Sequence, residues 1–210
     1  MKTIEREITT ILKVSEDKEH TYSITKITAG EMKKHMILIL LYPTRTEDNI
    51  LSDDDTMNNI MSHLTEMGFD SVTILNLFSK VVKGCRMSTR GINVDRENLD
   101  YIKEQFIKNE AFKNSTWVIA WGQTAGRSKV VCEAKKELLE EWKKKYPKKK
   151  LYQLSVSGIE KTIGMAPHPL YLGIRKKMSK WVLAEIDYNE LLQIVNGEKE
   201  TKSQEIEKHK

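Results

Sequence analysis

The residues with most chemical potential lie in four short stretches, at 43–49, 76–80, 122–126 and 168–172, each where an apolar run stops. Asn76 follows Val72-Thr73-Ile74-Leu75, which puts an amide at the end of a buried run. An amide both donates and accepts, so it can read a pyrimidine edge; it can equally close the turn after a strand. His168 stands between Pro167 and Pro169, whose rings restrict the backbone on both sides. A histidine held this way can donate a hydrogen bond to a developing anion, or simply occupy a surface turn. The stretch 43–55 holds Glu47, Asp48, Asp53, Asp54 and Asp55. A carboxylate there could orient water or stabilise a cation, and carboxylates are also common at helix starts. The amides of Gly122-Gln123-Thr124-Ala125-Gly126 precede a basic helix and could bind phosphate. That stretch lacks the Lys-Ser/Thr ending of a P-loop and the glycine spacing of a dinucleotide fold. No nucleoside triphosphate, NAD, metal or other cofactor is therefore expected.

These stretches need elements to position them. Residues 20–29 alternate apolar and polar like an edge strand. The runs 36–42 (MILILLY), 71–77 (SVTILNL), 116–121 (TWVIAW) and 150–156 (KLYQLSV) are short and apolar enough for strands buried on both faces. Between them, Met57, Ile60, Met61, Leu64 and Met67 mark a helix that Gly68 stops, with Ser52 and Asp55 at capping-box spacing. Residues 96–108 read as helical, as do 127–146 through Val131, Ala134, Leu138, Trp142 and Tyr146. Residues 181–195 fit either strand or helix. Alternating strands and helices predict an α/β three-layer sandwich around a central, mostly parallel four-stranded sheet. In such sheets ligands bind at the carboxyl ends of the strands, where the four stretches lie.

The chain of 210 residues is expected to form one domain over 1–196, with 1–35 as an edge strand and amino-terminal extension. The charged, aperiodic stretch 197–210 reads as a disordered tail. The net charge of +5 is unevenly placed. Residues 127–181 carry fifteen Lys/Arg against five Asp/Glu, whereas residues 1–126 carry sixteen against eighteen. A concentrated basic stretch suggests a polyanion such as nucleic acid, or a solvated lysine-rich helix face. Two cysteines, Cys85 and Cys132, are too few for a disulfide scaffold or a four-cysteine metal site. With no apolar signal core and no run long enough to span a bilayer, the expectation is a cytoplasmic, monomeric protein without a membrane partner.

In this order the four stretches resemble the uracil-DNA glycosylase superfamily, and within it a bacterial and phage branch with Asn-Pro-Ser-x-x-Asp, Asn-Leu-Phe, Ala-Trp-Gly and His-Pro-Leu-Tyr-Leu motifs. The matching residues are Leu41-Tyr42-Pro43-Thr44-Arg45-Thr46-Glu47-Asp48, Asp54-Asp55-Thr56, Asn76-Leu77-Phe78, Ala120-Trp121-Gly122 and His168-Pro169-Leu170-Tyr171-Leu172. The resemblance covers about 36–175. It implies a glycosylase-like α/β fold in which Asp48 or Glu47 activates water, with Asp54 or Asp55 behind them. Tyr42 stands where these families have Asp or Asn. The resemblance makes Asn76 the base reader, with Tyr42 and Phe78 against the base, and gives His168 the departing base. Leu172, with Tyr171, would wedge into the duplex, and Arg175, Lys176, Gln123 and Thr124 would contact DNA.

The function expected from these residues is a monofunctional DNA glycosylase. It would flip out a base and hydrolyse its N-glycosidic bond, in DNA repair or antiviral defence. The base is uracil or, given Tyr42, a modified pyrimidine such as a phage-type modified cytosine, in double- or single-stranded DNA. Two other classes fit the same residues. One is a non-catalytic DNA-binding module that kept the fold. The other is a nucleoside or nucleotide hydrolase, which would depend little on Lys143 to Lys150.

Overall fold

A computed structural model describes residues 2–3, 5, 7–28, 32–44, 53–82, 91–122, 128–158, 165–176 and 179–197. Its strands are β1 (Thr9–Val14), β2 (Thr21–Ile27), β3 (His35–Leu40), β4 (Ser71–Asn76), β5 (Thr116–Ile119), β6 (Leu151–Val156) and β7 (Trp181–Ile186). The α-helices are α1 (Asp55–Leu64), α2 (Arg96–Ile102), α3 (Lys129–Lys145), α4 (Pro169–Arg175) and α5 (Tyr188–Val195). A π-helical turn, Lys103–Ile107, continues α2.

The strands form one mixed sheet in the order β1-β2-β4-β3-β5-β6-β7. The four strands expected from apolar runs are present, and β4, β3, β5 and β6 are mutually parallel. The sheet is nonetheless seven-stranded rather than four-stranded, because antiparallel strands flank both sides. The stretch expected at an edge is β2, which is interior: β1 covers one side of it and β4 the other. β1 itself has only half-buried and exposed positions, so it carries no apolar run to announce it. The ambiguous stretch 181–195 divides into β7 and α5, and Asp187 caps α5 by accepting from the amide of Glu190 at 2.8 Å. α1 likewise starts later than the Ser52 reading implies: its N-cap is Asp54, which accepts from the amide of Met57 at 2.8 Å. Ser52 lies outside the described residues.

Strand periodicity explains the two cores. Along β3 and just past its end, Ile37, Ile39 and Leu41 face α2, α3 and α5, while Met36, Leu38 and Leu40 face α1 and α4. Helices cover both faces of the parallel strands, so β3 and β4 are buried at every position. The chain leaves β3 through α1 to β4 on one side, then crosses through α2 to β5 on the other. That reversal opens a crevice at the carboxyl end of β3.

Candidate functional site

Backbone hydrogen bonds stitch the strand ends together around that crevice. Leu77 donates to the carbonyl of Leu40 at 3.1 Å and Phe78 to that of Leu41 at 3.0 Å. On the far side Ala120 donates to the carbonyl of Ile39 at 2.9 Å, and Gly122 to that of Ala166 at 2.8 Å. The last contact brings the segment before α4 over the sheet. α4 then lies against α1, with Gly173 at the crossing: a Cβ there would stand 2.0 Å from Nδ2 of Asn59.

Between these elements is a cavity of about 460 Å³, within the range of ligand sites. Ile24, Leu40, Ile74 and Met57 make an apolar floor against the sheet. Tyr42, Pro43 and Trp121 come from the ends of β3 and β5; Leu170, Tyr171 and Ile174 come from α4. The polar lining groups are Thr44, Asp54, Thr56, Asn76 and His168.

Asn76 is 2% exposed, and its side-chain oxygen has no hydrogen-bond donor among the described residues. Its backbone carbonyl is satisfied by Nδ2 of Asn98 at 2.7 Å. A buried acceptor left unpaired costs about 1–3 kcal/mol, and Asn76 is one of the residues lining the cavity.

His168 is the N-cap of α4, and its Nδ1 accepts from the amide of Leu170 at 3.2 Å. That bond assigns the neutral ring's proton to Nε2. Burial pushes the imidazole down to about 4, against the opposing pull of the Asp54 charge. His168 is therefore a neutral donor at pH 7. Asp54 holds the Met57 amide through Oδ1 and accepts from the Thr44 hydroxyl at 2.6 Å through Oδ2. The carboxylate is thus fixed at the wall by the amino terminus of α1 and by the β3 loop. Trp121 carries the ammonium of Lys135 at 4.9 Å from its ring centre, and burial pulls that lysine down to about 8.

Asn76, His168, Tyr42 and Tyr171 are thus brought to one cavity. Asp48, Glu47, Gln123 and Thr124 lie outside the described residues. Two of the expected site residues are placed elsewhere. Phe78 is packed in the α2/α3 core and does not line the cavity. Leu172 is fully buried against α1, so it cannot leave the protein as a wedge without opening that core. The exposed apolar side chains beside it are Tyr171, at 55%, and Ile174, at 70%. The lysines of 143–150 sit at the carboxyl end of α3 and the entry to β6, the pole opposite the cavity. There Lys145 pairs with Glu110 and Lys150 with Glu185. Arg175 and Lys176 are at the cavity end, as the last residue and C-cap of α4.

Asp54, Trp121, Thr44, Thr56 and Ile174 complete the site beyond the residues assigned base or DNA contacts from sequence. For Ile174 the signal was an apolar residue beside the basic Arg175-Lys176 pair. A separate polar cluster joins β4 to α2: the Ser79 hydroxyl donates to Asp95 at 2.7 Å and lies 2.7 Å from Nδ1 of His20. The serine stands between acid and imidazole, so the imidazole is not oriented by the carboxylate as a base-activated nucleophile requires. Among the described residues no three His, Cys, Asp or Glu side chains converge on a metal position, and no helix is long and apolar enough to cross a membrane.

No curated protein and no solved structure matches the chain. The family model described as "Protein of unknown function (DUF1643)" matches residues 21–170 and takes in the whole parallel sheet and His168, so the chain belongs to that family.

Proposed function

We propose that this cavity receives a base turned out of DNA and that the protein hydrolyses its N-glycosidic bond. The observation that carries the reading is the unpaired, buried Oδ1 of Asn76 in the same cavity wall as a neutral histidine donor. One group asks for a ligand N–H and the other for a ligand oxygen or nitrogen, over an apolar floor. A planar heterocycle with polar edges meets these demands. The resemblance of the strand-end motifs to the uracil-DNA glycosylase superfamily supports the same reading.

The chemistry follows from where charge develops. Breaking the bond leaves positive charge on the sugar and negative charge on the base. Nε2–H of His168 is suited to the base anion. Carboxylates suit the sugar side and the attacking water: Asp54 lines the cavity, and the resemblance gives water activation to Asp48 or Glu47, which lie outside the described residues. With Leu172 committed to the core, Tyr171 and Ile174 are the side chains suited to fill the gap in the stack. Arg175 and Lys176 are suited to the flanking phosphates. The preferred substrate is a modified pyrimidine, such as a phage-type modified cytosine, because Tyr42 lines the wall where the related motifs have Asp or Asn.

One observation favours hydrolysis of free nucleosides or nucleotides instead: the lysines of 143–150 lie away from the cavity. Incubation with uracil-containing DNA, with phage DNA bearing modified cytosines and with free nucleotides separates the two. Abasic sites in one of the DNAs support the glycosylase; base release from nucleotides alone supports the alternative.

A further inference from the structure

The direction of His168 is fixed two residues upstream. Ala166 has φ +52°, a left-handed conformation that disfavours any side chain with a Cβ, and it is 1% exposed. Alanine has no polar side chain to support that conformation locally, as Asn or Asp would, so tertiary contacts must hold it. Two contacts do. The Ala166 amide donates to Oε1 of Gln153 at 2.8 Å, and its carbonyl accepts from Gly122 at 2.8 Å. Gln153 is a buried polar residue in the middle of β6, on the face turned toward α3. Pro167 follows with φ set by its ring, and His168 then opens α4. With Pro167 stiff, the conformation of Ala166 determines where the imidazole emerges.

We propose that Gln153 is a positioning residue: its amide oxygen clamps Ala166 in the left-handed conformation and so aims His168 into the cavity. The catalytic consequence rests on the proposed glycosylase reading; the clamp itself does not. Replacement by leucine keeps the volume and removes the acceptor, leaving the Ala166 amide unpaired. The segment then relaxes, and the imidazole loses its half-buried place and its bond to the Leu170 amide. Glycine at 166 adopts positive φ without support, so it makes the clamp dispensable.

The test is NMR titration of the His168 ring in the full chain, its signal identified by loss in His168→Gln. In the unaltered protein the ring titrates near 4. In Gln153→Leu it moves toward the ordinary 6.5, and in Gln153→Leu/Ala166→Gly it returns toward the original value. A folded Gln153→Leu protein whose His168 still titrates near 4 overturns the proposal. So does a double variant that shows no recovery, or one as unfolded as the single variant. Base release, where found, falls at least tenfold in Gln153→Leu with DNA affinity retained. The expected titrations without base release from any DNA would uphold the clamp and refute the glycosylase reading.

Discussion

Replacing Asn76 with leucine is predicted to stabilise the protein while destroying its binding site. Asn76 is almost wholly buried at the end of β4, and its Oδ1 has no donor among the described residues. Leucine has similar size, removes the unpaired acceptor and sits better in a strand. The desolvated acceptor costs about 1–3 kcal/mol, and the range of strand preference adds at most about 1 kcal/mol. Some leucine atoms will not fit the amide's outline, so a net gain of about 1–2 kcal/mol is expected. For a chain of this length each kcal/mol moves Tm by about 2–4 °C, giving a rise of about 2–8 °C. Thermal unfolding followed by circular dichroism, with no ligand present, reads this directly. Asn98→Leu is the control. Asn98 also has an unpaired Oδ1, but its Nδ2 donates to the Asn76 carbonyl at 2.7 Å, so its loss lowers Tm. A fall in Tm for Asn76→Leu comparable to that of Asn98→Leu would refute the reasoning, because Asn76 would then be a structural amide.

Acid is expected to destabilise the fold through two histidines, His35 and His168, which burial pushes down to about 4. The unfolded chain takes these protons near 6.5 and the folded protein only near 4. Stability is therefore flat above 6.5 and is lost as pH falls from 6.5 toward 4, by up to about 3 kcal/mol per histidine. Tm measured from pH 7.5 to 4.5 checks this, and His168→Gln should remove part of the slope. Ala166→Gly alone should raise Tm slightly: relief of left-handed strain of about 1–2 kcal/mol outweighs glycine's extra unfolded entropy of about 0.5–1 kcal/mol. If DNA is the substrate, Arg175→Ala lowers the slope of log affinity against log salt by about 0.9. Lys144→Ala and Lys148→Ala, at the opposite pole, leave that slope unchanged. Double replacement of Tyr171 and Ile174 by serine should reduce excision from duplex more than from single-stranded DNA, since only the duplex needs a stack opened and filled.

The central sheet was legible because burial on both faces writes itself as short, largely apolar runs: β3 is apolar beyond His35, β5 after Thr116, and β4 and β6 admit only a few small or amide side chains among their apolar residues. β1 has no such run, and β2 alternates as an edge strand would, although its neighbour β1 makes it interior. Local sequence shows how a residue is buried but not which strand lies beside it. The same limit applies at the site. Asn76 was visible as an amide at a strand end and His168 as a histidine between two prolines, and the cavity unites them. The neighbours of His168 were not assignable by spacing, because their directions depend on where α4 begins. With His168 as N-cap, Pro169, Leu172 and Gly173 turn into the core, whereas Leu170, Tyr171 and Ile174 face the cavity. Phe78 is similar: it follows the strand that carries Asn76, but the chain turns it toward α2 and α3. The strained Ala166 and its Gln153 clamp leave no local trace, since neither residue type announces a left-handed backbone.

The most direct test of the central claim is mass spectrometry of bases released from DNA, run with the unaltered protein and with Asn76→Leu and His168→Gln side by side. A free pyrimidine, released in step with abasic sites and lost or sharply reduced in both variants, is the predicted result. No released base from uracil-containing or modified phage DNA, with every protein folded, would contradict it.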